Sequence, residues 1–203
     1  MTAADTRSRS TAALKTAHWL TEVFAPAHLV IALPLTVGAV TSGWPGVGWG
    51  ALAALLCGGV PAVVIVAGVK SGRFGNRHLT DRAQRPWLIG VIVALVLIAL
   101  ALLVMLGAPA VMVACVAIML ATLAVTGPIT LLWKISFHTA VAGGSVVMLA
   151  WLLPPALVYA AGAVVVALVA WSRVMIRDHT LAQTAAGAVA GAAATWVTLT
   201  VLL

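Results

Sequence analysis

Charged side chains are scarce in this sequence. They make up 7% of its 203 residues, where a soluble domain carries roughly a quarter, so there is too little charge to cover a water-facing surface. Cysteine is nearly absent as well. Cys57 and Cys115 both lie in apolar runs without metal-ligand spacing, which excludes a disulfide framework and leaves them as small packing residues. No heptad pattern, no fixed repeat and no linker-like stretch is present, which argues against a coiled coil, a solenoid and a chain of separate domains. Only four acids occur, Asp5, Glu22, Asp81 and Asp178. With no Asp-rich pair there is no oxygen cage for magnesium, so neither a metal nor another cofactor is expected.

What is abundant is hydrocarbon. Apolar residues fill 64% of the positions and the mean hydropathy is +1.18, values of an integral membrane protein. Breaks at Pro and Gly divide the apolar sequence into runs of about 17 to 25 residues, the length that crosses a bilayer as helix. The runs are apolar on all sides, unlike alternating barrel strands. The expected fold is therefore all-α, a polytopic transmembrane helical bundle of about seven spans, near 18–41, 47–69, 87–107, 109–132, 137–153, 155–171 and 180–202. Residues 1–16 read as a polar, disordered cytoplasmic tail, and residues 17–203 as a single transmembrane domain.

The net charge is +7, but no soluble domain exists to carry a basic face, so nucleic acid is not an expected partner. The eleven Lys and Arg fall in the N-terminal tail, in the 70–86 loop, at Lys134 and at Arg173 with Arg177. With seven spans these segments share one side, and the intervening loops carry none. The positive-inside rule then puts the N-terminus and the basic loops in the cytoplasm and the C-terminus outside, in a multi-pass protein of the cell inner membrane. Trp44, Trp49, Trp87, Trp133, Trp151 and Trp171 stand near span ends, as interfacial indoles do. The spacing of Gly187 and Gly191 permits close helix contact, either inside the bundle or across a homodimer.

Three polar segments, "KSGRFGNRHLTDRAQRP", "WKISFHTA" and "SRVMIRDHTLAQ", are each separated by two spans and so emerge on one face. Together they carry Arg77, His78, Arg82, Arg85, Lys134, Ser136, His138, Ser172, Arg173 and His179. Guanidinium forks, an ammonium, hydroxyls and helix N-termini suit a phosphate, and two histidines can divide nucleophile and proton donor between them. Glu22, four residues from His18 in the first span, is a candidate ion-pair or substrate-orienting group.

Ser172-Arg173, five residues, then His179 resembles the third signature of the type 2 phosphatidic acid phosphatase superfamily, the membrane relatives of vanadium haloperoxidases and bacterial acid phosphatases. Ile135-Ser136-Phe137-His138 is similar to its second signature, keeping the serine and histidine, and His78, six residues, Arg85-Pro86 to its first. The resemblance implies a two-step phosphoryl transfer in which His179 attacks phosphorus and His138 protonates the leaving oxygen. Arg85, Arg173, Ser136 and His78 or Arg77 would then hold the phosphate oxygens. Gln183 stands where that family has the aspartate that orients the nucleophile, and its amide oxygen is expected to accept the His179 ring N–H from one turn away. His78 replaces a lysine, and Phe137 a glycine.

The expectation is a metal-independent enzyme acting on a lipid phosphate or isoprenoid diphosphate. Its catalytic residues would be His179, His138 and Gln183. Arg77, His78, Arg85, Lys134, Ser136, Ser172 and Arg173 would contact phosphate, and Glu22, Asp178 and Arg82 stand nearby. Two alternatives share the pocket: a non-catalytic relative that binds or moves a phospholipid, and a terpene cyclase that ionises an isoprenyl diphosphate.

Overall fold

The computed structural model describes the backbone of residues 3–72 and 85–203, and the side chains of these apart from residues 3–10, 85, 86 and 88. Every regular element among the described residues is helical: α1 (Ala3–Val23), α2 (Pro26–Ala54), a π turn (Leu55–Gly59), α3 (Val60–Lys70), α4 (Arg85–Met105), α5 (Ala110–Leu132), α6 (Phe137–Leu152), α7 (Pro155–Met175) and α8 (Leu181–Leu202). Four stretches are long and apolar enough to cross a membrane, Pro26–Lys70, Ala110–Leu132, Pro155–Met175 and Leu181–Leu202; Ile89–Met105 and Phe137–Leu152 are apolar but shorter.

The N-terminal segment differs from the sequence expectation. Residues 3–23 form a helix, and the apolar helix begins at Pro26 instead of near residue 18. Proline explains the boundary. It lacks the N–H that would continue α1 and forces Ala25 to an extended ψ of 143°, so the chain breaks there and restarts with proline in the first turn of α2. The new junction is pinned by His28, whose Nδ1 lies 2.7 Å from the Glu22 carbonyl oxygen, capping the end of α1. α1 then lies along α7, where Thr21 donates to Ser172 Oγ at 3.2 Å.

The long stretch from Pro26 is folded back on itself. Gly43 has φ 58° and ψ −141°, a conformation open to glycine, and the two arms of α2 meet across it. A Cβ added at Gly38 would collide with the Gly46 backbone, one at Gly50 with Pro34, and one at Gly58 with Ile31, so the arms run antiparallel in backbone contact. The second arm continues through the π turn into α3. Pro61 accounts for that turn: it has no N–H for the Cys57 carbonyl and its ring would crowd it, and the wider turn absorbs the misfit.

α6 and α8 form the most intimate pair. A Cβ at Gly187 would strike Ser136, one at Gly191 would strike Ala140, and one at Gly144 would come within 2.7 Å of Thr195 Oγ1. The constant offset makes the two helices parallel, with small residues in place of side-chain packing. In a bilayer, where burial of hydrocarbon does not drive helices together, such backbone contact is a main source of association. The Gly187–Gly191 stripe is thus filled by α6 of the same chain, which withdraws it as the seam of the homodimer considered above. The apolar core, built on Val37, Val96, Leu103, Met112, Val116, Met148 and Leu199, closes one end of the bundle. Among the described residues, Lys134, Arg173 and His179 lie at the other end.

Candidate active site

Between that core and the polar end is a cavity of about 400 Å³. Its mouth is lined by Glu22 and His28 from the α1–α2 junction, Lys134 and His138 from the start of α6, and Arg173, Asp178 and His179 from the end of α7. Its walls are hydrocarbon: Val30 and Leu33 of α2, Ile65 of α3, Ile92 of α4, Ile118 and Met119 of α5. Cys57 lines the same space, and both cysteines are buried as free thiols.

Each histidine is set by the end of a helix. α6 starts because Ser136, in an extended conformation, caps it by accepting the Thr139 N–H at 3.4 Å. This leaves buried His138 in the first turn, at the positive end of the helix dipole. α7 ends in a left-handed turn: the Arg177 N–H donates to Val174 O at 3.0 Å and the Asp178 N–H to Arg173 O at 3.1 Å, with Arg177 at φ 60°. The same turn ends α4, where the left-handed residue is Gly107. An arginine in that conformation stores about 1–2 kcal/mol of strain, and the reversal it enforces swings Asp178 back onto the helix it has just left. Asp178 Oδ2 sits 2.7 Å from Arg173 Nη2.

Arg173 is 5% exposed, and its Nε and Nη1 have no hydrogen-bond partner among the described residues. A buried guanidinium with open donors is an anion-holding group. His179 follows immediately. Its Nδ1 lies 3.0 Å from the Lys134 carbonyl oxygen, and because a carbonyl can only accept, Nδ1 carries the proton and Nε2 the lone pair. Burial, then the nearby Arg173 charge, push the imidazole down to about 4, with Lys134 acting in the same direction and its carbonyl and Asp178 opposing. The ring is therefore neutral near pH 7.

Of the residues expected at a phosphate site, His138, His179, Lys134 and Arg173 line one cavity, together with Glu22 and Asp178. Three of the expected residues make other contacts. Gln183 does not orient His179: its Oε1 accepts the Thr180 N–H at 3.0 Å while Thr180 Oγ1 accepts the Gln183 N–H, a capping box that starts α8. The Lys134 carbonyl takes the ring proton instead. Ser136 and Ser172 are fully buried behind the cavity wall; Ser136 caps α6, and Ser172 donates to Val169 O at 2.8 Å and receives Thr21. Hydroxyls so placed serve the helices rather than a ligand. Arg77, His78 and Arg82 lie outside the described residues, and Arg85 is described only as the first residue of α4. His18 is exposed and apart from the cavity, because the break before Pro26 turns α1 away.

His28 and the Lys134 carbonyl were not anticipated. Pro26 was the signal for the first, since a proline at a helix start places its neighbours at a junction. No sequence signal marks a backbone acceptor. Comparison of the chain with protein-family models, with curated proteins and with solved structures finds no match in any of the three.

Proposed function

We propose that this protein is a membrane phosphatase-like enzyme acting on a lipid phosphate, and that the chain crosses the bilayer seven times, with the two arms at Gly43 counted as separate spans and the cavity mouth on the cytoplasmic side. One observation carries the reading: Lys134, His138, Arg173 and His179 surround the mouth of a cavity whose walls are hydrocarbon. An anionic head with an apolar tail matches that division, and the open Arg173 donors supply the anion contact.

In the proposed reaction the Nε2 lone pair of His179 attacks phosphorus, the bond from phosphorus to the lipid oxygen breaks, and that oxygen takes a proton from His138. Water then attacks the phosphohistidine, His138 accepts its proton, and inorganic phosphate leaves with the His179 imidazole restored. Arg173 and Lys134 balance the charge on the equatorial oxygens. The neutral His179, with its proton directed at the Lys134 carbonyl, supports the nucleophile's role. The cyclase alternative has less support, since Phe137 is the lone aromatic residue among the described residues lining the cavity, too little ring surface to shepherd a carbocation.

Phosphate release from a panel of lipid monophosphates and isoprenoid diphosphates, using purified wild type and His179→Ala, tests the proposal. Release by wild type and a drop of at least 1000-fold in the variant are expected, given what removal of a nucleophile costs. Saturable binding without release would instead favour the lipid-binding alternative, and equal release by both proteins would remove His179 from the mechanism.

A further inference from the structure

The cavity's apolar wall is interrupted at its deep end. Ser145 of α6 and Thr195 of α8 both line it, beside Gly144, and neither hydroxyl has a hydrogen-bond partner among the described residues. Thr195 is fully buried. That is unusual within this very bundle, because threonines in helices ordinarily return their hydroxyl to the preceding turn. Thr126 donates to Thr122 O at 2.6 Å, Thr184 to Leu181 O at 2.8 Å, Thr198 to Ala194 O at 2.7 Å and Thr200 to Val197 O at 2.9 Å. Thr195, on the same helix as the last three, does not.

Its environment gives the reason. The close α6–α8 approach holds Thr195 Oγ1 against Gly144, where an added Cβ would lie 2.7 Å away, and thereby fixes the hydroxyl at the cavity edge. Two hydroxyls shut off from water and from the backbone are costly unless something else pairs with them. From His138 at the mouth to Ser145 is seven residues of one helix, about 10 Å of rise. The pair thus sits well below the position of a headgroup and among side chains that would otherwise suit plain hydrocarbon.

We infer that Ser145 and Thr195 form a tail-side recognition site for an oxygen-bearing group, an ester, amide or hydroxyl, carried by the lipid about two helical turns below its phosphate. This rests on the reading of the cavity as a lipid-phosphate site and narrows it: a tail of unbroken hydrocarbon leaves both hydroxyls unpaired, whereas an oxygenated tail satisfies them. A site that hydrogen-bonds a ligand group discriminates strongly against the analogue lacking it, because its own polar atoms are then left stranded.

The test compares two probes of equal chain length that differ only in the acyl carbonyl, 1-hexadecyl-glycerol phosphate and 1-palmitoyl-glycerol phosphate, for binding to the full-length protein in lipid nanodiscs. Wild type is expected to bind the acyl probe about tenfold more tightly than the alkyl probe, the worth of one or two neutral hydrogen bonds. Thr195→Val, which keeps the shape and removes the oxygen, should erase or reverse that preference, and Thr195→Ser should retain it. Ser145→Ala gives a second reading if the valine variant does not fold. An acyl-to-alkyl ratio left unchanged by both Thr195→Val and Ser145→Ala overturns the tail site while leaving the head-group proposal intact. Failure of wild type to bind either probe overturns both.

Discussion

At His179 a single hydrogen bond decides the chemistry. A backbone carbonyl holds the ring proton on Nδ1, and burial of the ring, with Arg173 and Lys134 nearby, keeps the second proton off, so the lone pair on Nε2 is available without a carboxylate partner. The pH consequence has a definite sign. Unfolded imidazole takes up a proton near pH 6.5, and folded His179 only near pH 4. Between those values the unfolded state binds more protons, so this residue's contribution is fully present above about pH 6.5 and is lost as pH falls toward 4. Thermal midpoints followed from pH 7 to pH 4 should fall more steeply for wild type than for His179→Gln, whose amide does not titrate. Parallel curves would mean that the ring takes up its second proton as readily in the native site as in the unfolded chain.

Arg177 carries a second residue-scale prediction. It takes the left-handed position that Gly107 fills at the equivalent turn, and its side chain is exposed. Arg177→Gly should stabilise the protein by about 1 kcal/mol by relieving that conformation. A rise in thermal midpoint in detergent is the expected measurement. An unchanged or lower midpoint would show that the arginine side chain compensates its own strain.

At the scale of elements, the parallel α6–α8 pair governs the site, since it sets both the depth of His138 and the position of buried Thr195 beside the cavity. At Gly191 the contact is backbone against backbone, with no side chain able to yield. Gly191→Ala drives a methyl group into the Ala140 carbonyl and should cost about 1–3 kcal/mol, the range for overpacking. Gly48→Ala, where an added Cβ meets nothing within 4 Å, should be neutral or slightly stabilising. The difference between the two in thermal unfolding checks the claim. The helices themselves were legible in the sequence, because runs of hydrocarbon bounded by Pro and Gly admit few other conformations. The break before Pro26 was legible too but was overridden by hydropathy, which continues across it. The capping role of Gln183 was not: an i, i+4 amide beside a histidine is equally consistent with orienting the ring and with closing the first turn of α8. Which bond forms depends on where Lys134 arrives from another part of the chain.

At the scale of the whole molecule, the polar groups gather at one end and the core at the other, with tryptophans at both levels. Trp87, Trp133 and Trp171 ring the mouth end, while Trp44, 87% exposed, and Trp151 mark the opposite one. The proposed orientation, with the cationic face inward, makes a prediction at this scale. Impermeant thiol labelling of whole cells should therefore reach Ser42→Cys at the Gly43 turn, and should reach Lys70→Cys only after the membrane is opened; the native cysteines are buried and stay silent. Labelling of Lys70→Cys in intact cells would invert the orientation.

Sequence alone determined that this chain is helical, apolar enough for a membrane and carries its cations in its tail and connections, because scarce charge and long runs of hydrocarbon leave few other ways to satisfy the backbone in lipid. The pairing of those connections was decided by tertiary structure. Glycine contacts bring α6 beside α8, a strained turn returns Asp178 to Arg173, and a carbonyl from one segment fixes the imidazole of another. The turn at Arg177 is local, but the glycine contacts and the carbonyl have no local signature, since they depend on atoms far apart in the chain meeting in space, as Lys134 and His179, 45 residues apart, do.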